Sequence, residues 1–244
     1  MYNIAVAGKG GVGKTTIAAL IVEILKRQGN TPILAVDADP NSTLGDWLGI
    51  PYKTTVADII EETKGLKNLP EGVSKPTHLE YQLQQAITES KGIDLLVMGR
   101  PEGPDCYCMA NNILRGYMDK ISRSYKYVVL DNEAGMEHLN RKTTQNIDTL
   151  LLVSDPSQIG LKTAMRINQL IDKLTFLSIK KRFLVINRVK NEKYSRLETS
   201  LKIAGLIPDE SILTNMDMDG KPVGSLADNH ALITAARELV SKIL

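Results

Sequence analysis

The sequence predicts a single α/β domain, residues 1–244, in which helices cover both faces of a mostly parallel β-sheet. Short apolar runs typical of buried strands alternate along the chain with segments whose apolar residues recur at helical spacing. A glycine-rich stretch joins the first such strand, Ile4 to Ala7, to the first such helix, which begins at Lys14. The length of 244 residues and the 43% hydrophobic content are enough for one core of this class.

The glycine-rich stretch, GKGGVGKTT, has the spacing of a phosphate-binding loop, because Gly8, Gly13, Lys14 and Thr15 fit GxxxxGK[ST]. In that motif the backbone N–H groups and the helix N-terminus hold phosphates, the lysine reaches the β and γ oxygens, and the hydroxyl ligates Mg²⁺. A glycine turn that served only tight packing would leave Lys14 unexplained. We therefore expect ATP or ADP, with Mg²⁺, to bind at Gly8, Lys9, Gly10, Gly11, Val12, Gly13, Lys14, Thr15 and Thr16.

The early lysine of this loop, Lys9, is not required by an ordinary P-loop. The run KGGVGKTT resembles the deviant P-loop of the MinD, ParA and nitrogenase iron-protein superfamily. The resemblance implies an ATPase whose Lys9 reaches across a homodimer interface to the partner's nucleotide, so that Lys9 acts in catalysis with Lys14. The alternative is that Lys9 is a solvated loop charge.

A second strand, predicted from Thr31 to Val36, leads into Asp37 and Asp39. Ligands of open parallel sheets bind at the carboxyl ends of the strands, which places these carboxylates beside the P-loop. The resemblance identifies the DxDP run as switch I, in which Asp39 positions or activates the attacking water and Asp37 supports the magnesium shell. Either residue could instead cap a short following helix, and for Asp37 that could be its whole role.

The region from Pro51 to Gly92 carries no motif of this superfamily. Its pattern predicts helices around Thr55 to Glu62 and Glu80 to Glu89, separated by a polar stretch that includes Pro70 and Pro76. We interpret it as a surface insertion.

The two cysteines of the chain, Cys106 and Cys108, follow a third predicted strand, Ile93 to Met98. In an extended segment both thiols point to one face. Two thiolates are half of a four-coordinate site, which a two-fold dimer would complete, and soft thiolates suit zinc, nickel or copper(I). Alternatively the cysteines are small core hydrophobes.

The next predicted strand, Lys126 to Leu130, ends in Asp131 in the manner of a Walker B carboxylate that acts on Mg²⁺ through water, and Gly135 lies in a switch II loop. The run DNEAGMEHLNR, together with the CYC and P-loop runs, resembles the CooC-type accessory ATPases. The resemblance implies a metallochaperone that binds Ni²⁺ between two subunits at Cys106 and Cys108. Its client would be carbon monoxide dehydrogenase or acetyl-CoA synthase, and Zn²⁺ stays open as the ion. His138 is more typical of a surface histidine than of a ligand.

In the C-terminal half a strand predicted from Arg182 to Ile186 is followed by Asn187. The superfamily resemblance implies that Asn187 contacts the adenine edge and that the segment with Pro208 and Asp209 walls the base. The alternative for Asn187 is a plain turn residue.

Two other functions share these motifs: a MinD- or ParA-like positioning ATPase and an iron-protein-like ATP-dependent reductase. The first requires a membrane helix or a basic surface, but the net charge is only +2 and no apolar run approaches about 20 residues. The second resembles proteins whose cluster cysteines lie far apart in sequence. We therefore expect no nucleic-acid or membrane partner and, without a signal-peptide pattern, a cytoplasmic protein.

Overall fold

The computed structural model describes residues 1–65, 74–100, 116–133, 146–174, 177–190 and 199–244. In these ranges the helices and strands follow one another as β1 (Tyr2–Gly8), α1 (Lys14–Arg27), β2 (Ile33–Ala38), α2 (Leu44–Leu48), α3 (Val56–Gly65), α4 (Lys75–Gln85), β3 (Thr88–Ser90), β4 (Ile93–Val97), α5 (helical over 116–122), β5 (Tyr127–Asn132), β6 (Asn146–Ser154), α6 (Gln158–Asp172), β7 (Ser178–Val189), β8 (Ile203–Pro208), α7 (Ser211–Asp219) and α8 (Ala231–Ile243).

The described strands form one eight-stranded sheet in the order β3-β4-β2-β5-β1-β6-β7-β8. Every neighbouring pair is parallel except β3 with β4. Strand β1, which leads into the P-loop, therefore lies between β5 and β6. Because parallel strands end at the same edge, the segments after β1, β2, β4 and β5 meet at one place.

Helices cover both faces of the sheet, as the sequence predicts. Helices α1 and α8 pack with each other and with one apolar face of the strands. On the other face, residues of α3, α4, α5 and α6 join the opposite side chains of the same strands in a second core. Central strands that are buried on both faces read as continuous apolar runs, and this is why they are recognisable in the sequence.

The region after α3 differs from the predicted pattern. Helix α4 begins at Lys75, so Pro76 lies inside its first turn, and it ends at Gln85, before the predicted end at Glu89. The Ser74 hydroxyl accepts a hydrogen bond from the Thr77 N–H, and a proline is tolerated in the first turn because its missing N–H has no partner there. Residues Thr88–Ser90 form the antiparallel edge strand β3, which the sequence analysis did not predict.

The C-terminal end of the P-loop helix is tied to a loop that precedes α8. The Arg27 guanidinium pairs with Glu23 at 2.7 Å and with Asp228 at 2.7 Å. It also donates to the carbonyl oxygens of Gly224, at 3.1 Å, and Leu226, at 2.8 Å. The Arg27 side chain thus joins the end of α1 to several residues of the loop that precedes α8.

Candidate functional site

The P-loop turns from β1 into α1 through glycines with positive φ angles. Gly11 has φ 76° and Gly13, which precedes the helix, has φ 90°, a region that side-chain-bearing residues rarely adopt. A Cβ atom on Gly13 would lie 2.3 Å from Asn187 Nδ2. Gly13 is therefore required both by the backbone conformation and by the close approach of Asn187.

Lys14 is the first residue of α1, and only 6% of its surface is exposed. Its ammonium group donates a hydrogen bond to the Lys9 carbonyl oxygen at 3.5 Å, so the side chain folds back over the loop. A buried ammonium that has one weak protein partner retains donors for a phosphate. The loop, the helix N-terminus and this cation together form an anion site.

Two carboxylates lie next to each other at the centre of this sheet edge. The parallel pairing of β2 with β5 places Asp37 beside Asp131, and both side chains are fully buried. Burial, the main cause, raises the pKa of Asp37 to about 6 and that of Asp131 to about 7. The negative charge of Asp39 raises both pKa values further, whereas the Lys14 ammonium and the nearby Thr15 hydroxyl lower the pKa of Asp131.

Asp37 shapes the backbone that follows β2. One carboxylate oxygen accepts the Leu44 N–H at 2.8 Å and the other accepts the Asp39 N–H at 3.1 Å. These bonds fold the predicted switch I segment into a turn and fix the start of α2. The structure therefore gives Asp37 the capping role that the sequence left open.

Asp131 has the chemistry of a magnesium site. Both of its carboxylate oxygens are buried and have no hydrogen-bond partner within the described residues, and the Thr15 hydroxyl stands near but outside hydrogen-bond geometry. Mg²⁺ prefers oxygen ligands and usually keeps several waters and phosphate oxygens. In the described ranges no three ligand side chains form a closed metal cluster. Thr15 and Asp131 thus fit Mg²⁺ that is held largely by nucleotide and water.

We expect the nucleotide-free and metal-free protein to unfold at a higher temperature at pH 5.5 than at pH 8. In the unfolded chain the pKa of both carboxyls returns to about 3.8, whereas in the folded protein the pKa of Asp37 is about 6 and that of Asp131 is about 7. Above those values the ionised pair destabilises the fold, and protonation removes this cost as pH falls through about 7 and then about 6. Thermal unfolding of the wild type and of Asp131→Asn measures the difference.

In that comparison the asparagine variant should lose part of the rise at low pH, since it has no charge to neutralise. Mg²⁺ and ADP should reverse the trend, because the metal requires the ionised carboxylate. If the unfolding temperature of wild type and of Asp131→Asn depends on pH in the same way, the raised pKa of Asp131 is contradicted.

Asp39 lies at the mouth of the site. Its carboxylate accepts the backbone N–H and the side-chain amide of Asn41, each at 2.9 Å. A cavity of about 360 Å³ opens between this turn and the P-loop, and its walls are Gly10, Gly11, Lys14, Asp39, Pro40, Asn41, Arg100 and Glu133. The structure thus places Asp39 across the cavity from Lys14.

The sequence analysis gave no site role to two wall residues, Asn41 and Arg100, and it included a third, Glu133, only as part of the predicted switch II loop. Arg100 comes shortly after β4 and Glu133 directly after β5, so each follows a strand whose carboxyl end faces the site. For Arg100 and Glu133 the available signal was their position after an apolar run, and the motif-based prediction did not use it.

On the other side of the P-loop, Asn187 lies within β7, which continues to Val189 beyond the predicted end. Its amide donates a hydrogen bond to the Val12 carbonyl oxygen at 2.8 Å, and the residue is 4% exposed. Pro208 ends β8, and the Asp209 N–H donates to the Val189 carbonyl oxygen at 3.0 Å. The structure therefore bonds Asn187 to the P-loop and places Pro208 and Asp209 beside Val189, two residues further along β7.

The Lys9 side chain is exposed at the same edge. The pKa of the Asp155 carboxyl, which follows β6, is lowered first by hydrogen bonds from Ser157 and further by the positive charges of Lys9 and Arg188. Lys9 thus faces outward near an acidic group of its own chain. Gly135, Cys106, Cys108 and His138 lie outside the described residues.

Comparison with known proteins places the chain in a nucleotide-binding family. The family model described as the CobQ/CobB/MinD/ParA nucleotide binding domain matches residues 4–223. An uncharacterized ATP-binding protein of Methanocaldococcus jannaschii is 41% identical over 250 residues, which cover 99% of this chain and 98% of that protein. The carbon monoxide dehydrogenase accessory protein CooC of Rhodospirillum rubrum is 33% identical over 180 residues, or 69% of this chain and 68% of that protein.

Among solved structures, the septum site-determining protein MinD from Pyrococcus horikoshii, complexed with Mg-ADP, superposes with a TM-score of 0.72. The match covers 99% of this chain and 95% of that chain at 18% identity. At this identity the likeness shows a shared fold.

Proposed function

Because the chain belongs to the CobQ/CobB/MinD/ParA nucleotide-binding family of ATPases, we propose that its ATP cycle drives the delivery of nickel to a metalloenzyme. The observation that carries this proposal is a CXC cysteine pair close in sequence to the nucleotide cavity, in a chain similar to CooC. The client would be carbon monoxide dehydrogenase or acetyl-CoA synthase. The accessory role that CooC's name describes is transferred to this chain on that basis.

The nucleotide cavity and the cysteines are linked by a short length of chain. Arg100 lines the cavity, and Cys106 is six residues further along. Six residues span at most about 21 Å even when fully extended. The thiol pair therefore cannot lie far from the cavity wall, and this short connection supports a coupling between nucleotide state and metal affinity.

A dimer would complete the metal site. Cys106 and Cys108 supply two thiolates per chain, and a two-fold axis between chains would bring four together, which suits Ni²⁺ or Zn²⁺. Lys9 is exposed at the P-loop edge, where a second subunit could be reached. Because linkage is reciprocal, an ion that binds between subunits also favours the dimer.

We expect Ni²⁺ to bind with a stoichiometry of one ion per two chains. Cys106→Ser or Cys108→Ser alone should remove most of the affinity, since each change deletes two of four ligands in a symmetric dimer. Affinity should fall with decreasing pH because the ligands are thiolates. Titration with Ni²⁺ and with Zn²⁺, in the presence of ATP or ADP, measures stoichiometry, affinity and nucleotide dependence together.

His138→Ala is the matched control, because it removes a metal-binding side chain that we do not assign to the site. It should bind Ni²⁺ as the wild type does. One tightly bound ion per monomer that survives both cysteine substitutions would rule out the shared site. Co-purification with a nickel enzyme, and transfer of ⁶³Ni to it during ATP hydrolysis, would then identify the client.

The second candidate is a positioning ATPase, since the fold is also that of MinD. Within the described ranges, no helix combines the length and apolarity that a membrane crossing requires. Sedimentation with liposomes or with DNA in the presence of ATP distinguishes the two functions. ATP-dependent pelleting would favour positioning over nickel delivery.

A further inference from the structure

The backbone that leads to Arg100 is fixed against switch I. The Met98 N–H donates to the Asp37 carbonyl oxygen at 2.8 Å, and the Met98 carbonyl oxygen accepts the Ala57 N–H at 3.0 Å. Gly99 has φ 68°, and a Cβ atom there would lie 2.3 Å from Thr55 Oγ1. Arg100 therefore leaves the sheet from a defined position beside the turn that carries Asp39.

The Arg100 side chain is exposed and forms no hydrogen bond or ion pair with any other described residue. It lines the same cavity as the P-loop glycines Gly10 and Gly11 and the switch I carboxylate Asp39. A guanidinium that has no partner inside a phosphate-binding cavity retains all its donors for a ligand.

The strand order places Arg100 and Lys14 on opposite sides of this cavity. Strand β4 is separated from β1 by β2 and β5. Three strand spacings of about 4.8 Å amount to about 14 Å. A P-loop holds the inner phosphates against its own backbone, so only the outermost phosphate of a bound nucleotide extends from Lys14 towards switch I and Arg100.

The charges around the cavity also favour a cation on the switch I side. Asp39 lines its wall, and the negative charge of its carboxylate repels the terminal phosphate of ATP. Among the described wall residues the cations are Lys14, at the P-loop, and Arg100, on the switch I side. Arginine pairs with phosphate through two parallel hydrogen bonds, a geometry that lysine cannot reproduce.

We propose that Arg100 binds the terminal phosphate of ATP within its own chain and so lets the site distinguish ATP from ADP. ADP has no group that extends to Arg100. This inference concerns nucleotide discrimination by the ATPase site and does not depend on the metal cargo.

The test compares Arg100→Ala and Arg100→Lys with the wild type in binding a non-hydrolysable ATP analogue and ADP, each with Mg²⁺. Loss of a charged hydrogen-bond pair predicts that Arg100→Ala weakens the analogue about 10- to 100-fold and ADP less than about two-fold. Arg100→Lys should recover only part of the loss. Arg123→Ala, an exposed arginine at the end of α5, is the matched control and should change neither affinity.

The measurements are made at a protein concentration at which sedimentation shows monomers, and circular dichroism checks that each variant is folded. Equal weakening of the analogue and ADP, or no weakening of either, would overturn the proposal. A loss of analogue affinity that is seen only at concentrations where dimers form would assign Arg100 to the partner's nucleotide, and would overturn binding within the same chain.

Discussion

Lys14→Ala should reduce the rate of ATP hydrolysis by at least about 10³-fold, which corresponds to about 4 kcal/mol of transition-state stabilisation. Phosphoryl transfer depends on positioned positive charge, and Lys14 is the buried cation at the N-terminus of α1. Its weak bond to the Lys9 carbonyl oxygen leaves most of its donor capacity for the β and γ oxygens. Steady-state release of phosphate measures the loss.

A second variant separates nucleotide binding from hydrolysis, and a third is a control. Asp39→Ala should still bind nucleotide but lose turnover, because its carboxylate lies across the cavity from Lys14 and contacts the switch I backbone rather than the P-loop. Lys26→Ala, an exposed lysine in the last turn of the same helix, is the matched control and should hydrolyse ATP normally. Hydrolysis at the wild-type rate by folded Lys14→Ala would overturn the site assignment.

Lys9→Ala should abolish the dimer that forms with ATP. The Lys9 side chain is exposed beside the P-loop, while the Lys14 bond involves only the Lys9 backbone, so removal of the side chain leaves that contact intact. We therefore expect Lys9→Ala to bind a non-hydrolysable ATP analogue as a monomer. Sedimentation velocity with the analogue, with ADP and without nucleotide gives the distribution of monomer and dimer in each state.

Lys162→Ala, an exposed lysine on α6, controls for the loss of a positive charge and should dimerise like the wild type. A wild type that stays monomeric with the analogue would refute the dimer model. A Lys9→Ala protein that dimerises with wild-type affinity would leave the model standing but remove Lys9 from the interface.

The sheet and the phosphate-binding loop were predictable because their physical causes are local. Strands such as β5 are buried on both faces and therefore appear as uninterrupted apolar runs, while Gly13 marks a backbone conformation that few other residues adopt. The sequence placed α4 wrongly because Pro76 reads as a helix breaker. Only the Ser74 cap shows that this proline lies in a first turn, where it is tolerated.

The site residues that belong to a sequence motif were predictable, and those that reach the site only through the order of the strands were not. Lys14, Asp39 and Asp131 belong to motifs that can be read along the chain. The role proposed for Arg100 depends on β4 lying next to β2, and a linear sequence does not contain that neighbour relation. Likewise the bond from Asn187 to Val12 joins residues that are 175 positions apart.

The Arg27 contacts limit where movement can occur during the ATP cycle. They join the end of α1 to the loop before α8, and α8 in turn packs on α1. We therefore expect the helix that carries the P-loop to stay fixed relative to α8 when nucleotide binds. The Arg27 contacts involve neither the turn after β2 nor the residues after β4 and β5. We therefore expect nucleotide-driven displacement in the residues that directly follow β2, β4 and β5 rather than at the contact between α1 and α8.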